Sequence, residues 1–572
     1  MLFKKWEYKY KTLKKEEINS ISERFGIPKV ISTIILNRKI SSSDIEAYLS
    51  KSIKNIINPY EFLDMEKAVD RICQAIENKE KIVIYGDYDV DGITSTALLY
   101  EFLLSQGANV SYYIPDRKDE GYGINIMAVN KLTKSRTKLL ITVDCGITAI
   151  GEVEFAKLQG MDVIITDHHT CKERIPTAAQ AVINPKREDD SYPFDALAGV
   201  GVAFKLMLAV AIKLGLNTTE YFDKYVDLAT IGTIADVVSL TGENRIIVNR
   251  GLLKLQNPTR PGIRALMEIS GTLSKPVTTT TIGFAIAPRM NAAGRISSAT
   301  TSVELMLEKD YQKALEIARE LDNENKQRQE MEKTIFEEAL QMISADVNFE
   351  KKKVIVLAKE GWHQGVIGIV ASRLNDMFYK PCILISHSNG IGKGSGRSIA
   401  AMNLFDALSH CSDLLTDFGG HAIAAGLSIN MPEFDAFAEK INKYAQSLLT
   451  EDDMIPVVKI DCPLGSKSLS IQNAKLISKL EPFGIGNERP TFSLLAARVD
   501  LVSTVGNENQ HLRMKISKDS TTVNCIGFGM GKYASELKHG MLIDIAFTLE
   551  INNYMNTESV QLALKDIRVS EQ

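Results

Sequence analysis

Three short apolar runs in this 572-residue chain end in carboxylates, and one of them ends in imidazoles as well. Lys81-Ile82-Val83-Ile84-Tyr85-Gly86 leads into Asp87-Tyr88-Asp89-Val90-Asp91-Gly92. Leu139-Leu140-Ile141-Thr142-Val143 leads into Asp144-Cys145-Gly146, and Met161-Asp162-Val163-Ile164-Ile165 into Thr166-Asp167-His168-His169. Bringing acids and imidazoles to one buried point is costly unless something binds them. Divalent metal is the obvious binder, because Asp and His are its usual oxygen and nitrogen donors. Each tip read alone is equally a hydrogen-bonded loop. A fourth carboxylate, Asp236, interrupts the apolar run 228–238, where it reads as a metal ligand, a helix cap or one half of a buried ion pair.

Asp87, Asp89, Asp91, Asp144, Asp167, His168, His169 and Asp236 are too many ligands for one ion. Two ions about 3.5–4 Å apart, sharing a bridging carboxylate, could use them, and such a pair activates water for in-line phosphoryl displacement. A donor set dominated by carboxylates suits Mn2+ or Mg2+ better than Zn2+. The chemistry expected is hydrolysis of a phosphoester or phosphoanhydride.

The runs that carry these tips are rich in Val and Ile and bounded by glycine, as parallel strands buried on both faces are. Helix-like stretches at 95–106 and 151–159 separate them, which predicts βαβ units and an α/β fold. Ligands of such sheets gather beyond the carboxyl ends of the strands, where all three tips would fall.

At this length three or four domains are expected. Apolar content of 45% and charged content of 24% describe an ordinary globular protein, and the net charge of −4 does not advertise nucleic-acid binding. Seven cysteines without a Cys-x-x-Cys pair argue against a disulfide framework and a structural zinc. Met1-Leu2-Phe3-Lys4-Lys5-Trp6 has no apolar core of signal-peptide length, and the longest apolar stretch, 202–216, is shorter than a membrane span and holds Lys205 and Lys213. A cytoplasmic protein without a membrane anchor is expected.

Residues 1–65 read as a small helical cap and 66–300 as the metal-binding domain. Residues 301–345 read as a linking helix, polar on every side from 322 to 330, as in helices that bridge domains through solvent. A second α/β pattern spans 346–452. Within it, Gly390-Ile391-Gly392-Lys393-Gly394-Ser395-Gly396-Arg397-Ser398 reads either as a phosphate-binding loop or as a mobile hairpin. Phe418-Gly419-Gly420-His421-Ala422 reads as a small-residue helix start with a core or capping histidine. From 453 to 572 short strands with turns between them predict an OB-like β-barrel, with Phe528, Tyr533 and Tyr554 as stacking candidates.

Asp-Tyr-Asp-Val-Asp-Gly, Val-Asp-Cys-Gly, Thr-Asp-His-His and Ile-Ala-Asp-Val-Val, in that order, resemble the motifs of the DHH phosphoesterase superfamily, and within it those of the RecJ-type single-stranded-DNA exonucleases. The segments 361–368, 394–398 and 419–426 are similar to the DHH-associated domain of that family, and 287–295 and 481–487 to its other motifs. The resemblance implies Asp89, Asp91, Asp144, His168 and Asp236 as ligands of two Mn2+ or Mg2+ ions, with Asp144 bridging. It places His169 at the scissile phosphate, with His421 near it, and gives Asp87 and Asp167 a ligand or orienting role. Ser395 and Arg397 would hold the strand end. By the same resemblance Arg289, Asn291 and Arg295 would be DNA contacts, either arginine being equally suited to a structural salt bridge. Tyr85 stands where small relatives carry a histidine ligand, which leaves the first ion's ligand set open.

The implied activity is 5′→3′ degradation of single-stranded DNA to 5′-mononucleotides in repair and recombination. The implied protein is a monomer, with a RecQ-type helicase and a single-strand-binding protein as suppliers of substrate. A DHH-type phosphoesterase acting on oligonucleotides, cyclic dinucleotides or pyrophosphate is the alternative.

Overall fold

A computed structural model describes residues 4–116, 120–121, 123–554 and 557–570, with the Tyr554 side chain outside the described set. The chain forms two units. One is Glu46–Gln327 with Glu481–Glu488, and the other takes the remaining residues.

The first unit is built on the predicted parallel sheet. Its strands stand in the spatial order Asn109–Tyr113, Lys81–Gly86, Leu139–Val143, Asp162–Thr166 and Ala181–Ile183, every neighbouring pair parallel. The alternation of side chains explains the continuous apolar runs. Ile82, Ile84, Leu139 and Ile141 enter the core on one face, and Val83, Tyr85 and Leu140 enter that on the other. Each fully buried Ile or Leu contributes about 1.5–3 kcal/mol relative to exposure, so the strand ends are held firmly. The chain leaves the first strand toward one edge of the sheet and later returns to its other side. The crevice between Lys81–Gly86 and Leu139–Val143 is therefore the topological switch point, where such sheets bind ligands. The helices Gly199–Lys213 and Thr218–Ala235 pack on one face, with nearly every residue from Gly199 to Ala211 buried.

In the second unit a mixed sheet runs Asp417–Gly420, Ala424–Asn430, Ile391–Arg397, Cys382–Ser388 and Ile355–Glu360, with only the last pair parallel. The glycine-rich segment is thus an interior strand and not an anion-cradling loop. Its backbone is spent on both neighbours, and Gly392 and Gly394 leave room for Ile385, Ile429 and Leu427. The predicted helix start around His421 is also corrected. His421 sits in the turn between Asp417–Gly420 and Ala424–Asn430, exposed to solvent.

The C-terminal strands Phe492–Val505, His511–Lys518, Thr521–Gly527, Thr557–Val569 and Leu542–Tyr554 follow one another around a barrel that closes by pairing of the last with the first. The third and fifth strands in sequence pair in parallel and the other pairs are antiparallel, an OB-type closure. Phe528 is exposed and meets His511 edge-on at 5.3 Å. The expected N-terminal helical cap is divided. The strand Lys5–Tyr8 pairs with Val457–Ile460, and residues up to Ile45 join this second unit, whereas those from Glu46 join the first.

The linking helix is Tyr311–Ala345, preceded by a separate helix Thr300–Leu307. Its polar stretch does not bridge through solvent. Asp322 and Asn325 are buried, and Asp322 pairs with Arg289 at 2.9 Å. No helix among the described residues is long and apolar enough to cross a membrane.

Candidate metal centre

Four connections deliver the carboxylates. Asp87 follows the first strand directly. Asp89 caps the helix Val90–Ser105, its carboxylate accepting from the amides of Asp91 at 2.9 Å and Gly92 at 3.2 Å. Asp91, in the first turn of that helix, accepts from Gly199 and Val200 at 2.7 Å each. A second helix N-terminus, that of Gly199–Lys213, therefore holds this carboxylate. Asp144 leaves the third strand in the left-handed region, at φ 61°, with its amide donating to the Thr166 carbonyl at 3.0 Å. Asp236 closes the helix Thr218–Ala235 and is followed by Val237 at φ 64°. A β-branched residue there is strained, a cost that proteins concentrate at functional sites.

His168 Nε2 lies 3.2 Å from Asp144 Oδ1, 3.5 Å from Asp236 Oδ2 and 3.9 Å from Asp91 Oδ2. Among the described residues three ligand groups emerge: Asp87, Asp89 and Asp144; Asp91, His168 and Asp236; Asp144, His168 and His169. Asp144 belongs to two of them. Two observations test whether a cation fits. His168 Nε2 and Asp236 Oδ2 are buried and make no hydrogen bond. The carboxylates also crowd one another: burial and then Asp236 and Asp89 push Asp91 well up, burial and then Asp91 do the same for Asp144, and burial and then Asp89 raise Asp236 to about 7. Such crowding is costly until a positive charge relieves it. Oxygen donors with one imidazole fit Mn2+ or Mg2+.

The two imidazoles differ. Burial and the neighbouring His169 hold His168 down to about 3, so it is neutral and able to ligate. His169 Nδ1 lies 2.7 Å from Asp167, whose Oδ1 also accepts from the amides of His168 at 2.7 Å and His169 at 3.0 Å, while its Oδ2 accepts from Ile147 at 2.9 Å. Burial would raise Asp167, yet the bonds from His169 and these amides hold it below the usual carboxylate range. Burial would lower His169, and Asp167 reverses that. Asp167 is thus fully engaged and orients His169 through Nδ1. Tyr85 is also engaged elsewhere, its hydroxyl donating to the Gly123 carbonyl at 2.9 Å.

Arg289 closes a salt bridge to Asp322 and donates to the Ala285 carbonyl at 2.6 Å, which is the structural alternative. Asn291 accepts from the Val90 amide at 3.2 Å and so props the first motif. Arg295 lies half-buried in the last turn of the helix Ala287–Ile296. In the second unit, Arg397 donates to the Gly396 carbonyl at 2.7 Å and to Ser395 Oγ at 3.3 Å. Burial lowers its guanidinium below the ordinary value, and no carboxylate pairs with it among the described residues.

Sequence reasoning missed Asn184, Lys186 and Gly199. Buried Asn184 donates to the His169 carbonyl at 3.0 Å and accepts from the Lys186 amide at 2.8 Å. Exposed Lys186 acts electrostatically on Asp236 and His168. The readable signal was Asn184-Pro185-Lys186 at the end of Ala181-Val182-Ile183, a fourth apolar run with a polar tip.

A pH dependence follows. Groups whose folded pKa is raised stabilise the fold at low pH and lose that contribution as pH climbs through the folded value. Asp91, Asp144, Asp236 and His169 are of this kind. His168 and Asp167 have the opposite sign: their contributions grow with pH and are complete by about pH 6.5, the ordinary histidine value, so they add no slope above it. The metal-free protein should therefore lose thermal stability from pH 6.5 upward, and saturating Mn2+ should flatten the slope. A metal-free Tm that rises over this range, followed by scanning calorimetry, would contradict the charge crowding.

Residues 81–233 match the DHH family, N-terminal domain, residues 351–447 the DHHA1 domain, and residues 460–566 the RecJ OB domain. The chain is 39% identical over 574 residues to the single-stranded-DNA-specific exonuclease RecJ of Bacillus subtilis strain 168, covering 100% of this chain and 72% of that protein. It superposes on RecJ of Thermus thermophilus in complex with Mn2+ with a TM-score of 0.84 at 28% identity, covering 99% of this chain and 80% of that one. With the Mg2+ complex of the same organism's RecJ the TM-score is 0.79, again at 28% identity, covering 99% and 79%.

Proposed function

Because this chain belongs to the RecJ family of single-stranded-DNA-specific exonucleases, we propose that it removes 5′-mononucleotides stepwise from the 5′ end of single-stranded DNA at the centre built around Asp144. It is an exonuclease that uses Mn2+ or Mg2+. The observation that carries the siting is the convergence of Asp144, Asp236 and Asp91 on His168 Nε2 within 3.9 Å.

Asp89, Asp91, Asp144, His168 and Asp236 would hold two divalent cations, Asp144 serving both, with Asp87 on the side nearer the first strand. When bound, the cations supply an activated water and shield the charge of the phosphate. The rest is done by side chains. Asp167 fixes the His169 ring through Nδ1 and favours its protonated form, which suits the ring to donate to an oxygen of the scissile phosphate. Asn291 and the helix N-terminus at Gly199 keep the first motif and Asp91 from shifting. Arg397, with Ser395 beside it, has a partly desolvated guanidinium that no carboxylate pairs among the described residues, suited to a phosphate of the strand. His421 and Arg295 are further contacts to the nucleic acid, and the barrel face around Phe528 stacks bases.

By the family resemblance the protein acts in repair and recombination in the cytoplasm, on strands opened by a helicase. Its seven free cysteines suit a reducing compartment.

A 3′-labelled single-stranded oligonucleotide incubated with Mn2+, with a chelator control and a duplex control, tests the reading. Stepwise, chelator-sensitive shortening of the single strand alone, with the label retained to the last products, is expected. Early release of the labelled end would reverse the polarity, and an untouched strand would remove the assignment.

A further inference from the structure

The segment Glu481-Pro482-Phe483-Gly484-Ile485-Gly486-Asn487 is far in sequence from every metal-centre residue, yet it belongs to the unit that carries them. Its contacts converge on the connection that follows Asp236. The Leu240 amide donates to the Ile485 carbonyl at 2.7 Å, and the Leu240 side chain packs against Gly484. Gly486, at φ 72°, lies so close to Ser239 that a Cβ on it would come within 2.1 Å of Ser239 Oγ. Both the backbone sign and the space require glycine there.

Asn487 locks the segment itself. It is fully buried, and its Nδ2 donates to the Pro482 carbonyl at 2.6 Å while its Oδ1 accepts from Tyr48 Oη at 3.0 Å. Its backbone exchanges two 3.1 Å hydrogen bonds with Gly484. Arg245, stacked on Tyr48 at 4.0 Å, supports the same corner.

This arrangement explains how Val237 is kept at φ 64°. A strained residue persists only where its surroundings over-determine it. Here the helix Thr218–Ala235 fixes one side of Asp236, and the 481–487 segment fixes the other through Ser239 and Leu240. We propose that Asn487 and Gly486 are positioning residues for the metal ligand Asp236: they hold the 237–240 connection so that the carboxylate stays turned toward His168. The inference rests on Asp236 being a ligand.

The test uses the full-length metal-free protein, titrated with Mn2+ by calorimetry, beside kcat and KM on single-stranded DNA. Asn487→Ala and Gly486→Ala should weaken Mn2+ binding about 10–100-fold, the usual effect of losing an outer support of a metal ligand. KM for DNA should stay unchanged, and raised Mn2+ should restore kcat, which a collapsed structure would not allow. Tyr48→Phe removes a single hydroxyl and should move Mn2+ affinity the same way by less, so the test survives if Asn487→Ala does not fold. Parent Mn2+ affinity in the folded Asn487, Gly486 and Tyr48 variants, with Asp236→Asn losing an ion, would overturn the positioning role and leave the ligand assignment standing. Parent Mn2+ binding by Asp236→Asn would overturn the ligand assignment and this inference with it.

Discussion

Asp144→Ala should abolish DNA hydrolysis while leaving the circular dichroism spectrum unchanged. Removing one charge-stabilising donor from an active site typically costs about 10²–10³-fold, and Asp144 should cost more, because it belongs to two of the three ligand groups. Its loss would weaken both cation positions at once. The fold should tolerate the change, since Asp144 sits at a strand end in a crowded acidic cluster whose charge repulsion the substitution relieves. Calorimetric Mn2+ titration with single-turnover cleavage is the check. Cleavage within tenfold of the parent would sink the two-cation arrangement.

Gly199→Ala should be nearly as damaging, although it touches no ligand's chemistry. A methyl group at this position would stand 2.5 Å from Asp144 Oδ1 and 2.6 Å from its Cβ. Asp144 has little freedom to withdraw, being held in the left-handed region with its amide bonded to Thr166. The helix would have to retreat instead, and its first amides are those that hold Asp91. Either movement disturbs a ligand, so a fall in kcat of about 10²-fold or more is expected, comparable to misplacing a catalytic group by an ångström. KM for DNA should hold, and Mn2+ affinity should fall alongside kcat. Parent kcat in a folded Gly199→Ala variant would show that the crevice yields more easily than its packing suggests.

Much of this centre was legible in sequence because parallel strands buried on both faces print as unbroken apolar runs, so polar residues at their ends stand out. Asp87, Asp144 and His168 follow from that alone. What was misread depended on partners remote in sequence. The 322–330 stretch looks solvated until Arg289 supplies the ion pair that buries Asp322. Gly390–Ser398 looks like a loop because glycine usually marks one, whereas here it thins a central strand beneath Ile385 and Leu427. His421 looks like a cap because Gly-Gly-His-Ala resembles a helix start, and the hairpin register alone shows otherwise. Gly199 acts through backbone and packing, which leave no side-chain pattern to read, and the Asn487 side chain acts through Tyr48, a partner remote in sequence.

The placement of residues 481–488 in the unit of the metal centre also sets an order of events during synthesis. A ribosome adds about 5–20 residues per second, so Glu481–Glu488 emerges roughly 8–30 seconds after Gln327, the end of the continuous part of that unit. Throughout that interval every candidate ligand from Asp87 to Asp236 is already present, but the connection after Asp236 lacks its contacts with Gly484, Ile485 and Gly486. On the positioning role proposed for Asn487 and Gly486, a ribosome-bound chain carries a loosely assembled centre at this stage, and a message broken between codons 237 and 481 yields a product with every candidate ligand and poor cation retention. On this reading nuclease competence arrives late, with about the last sixth of translation.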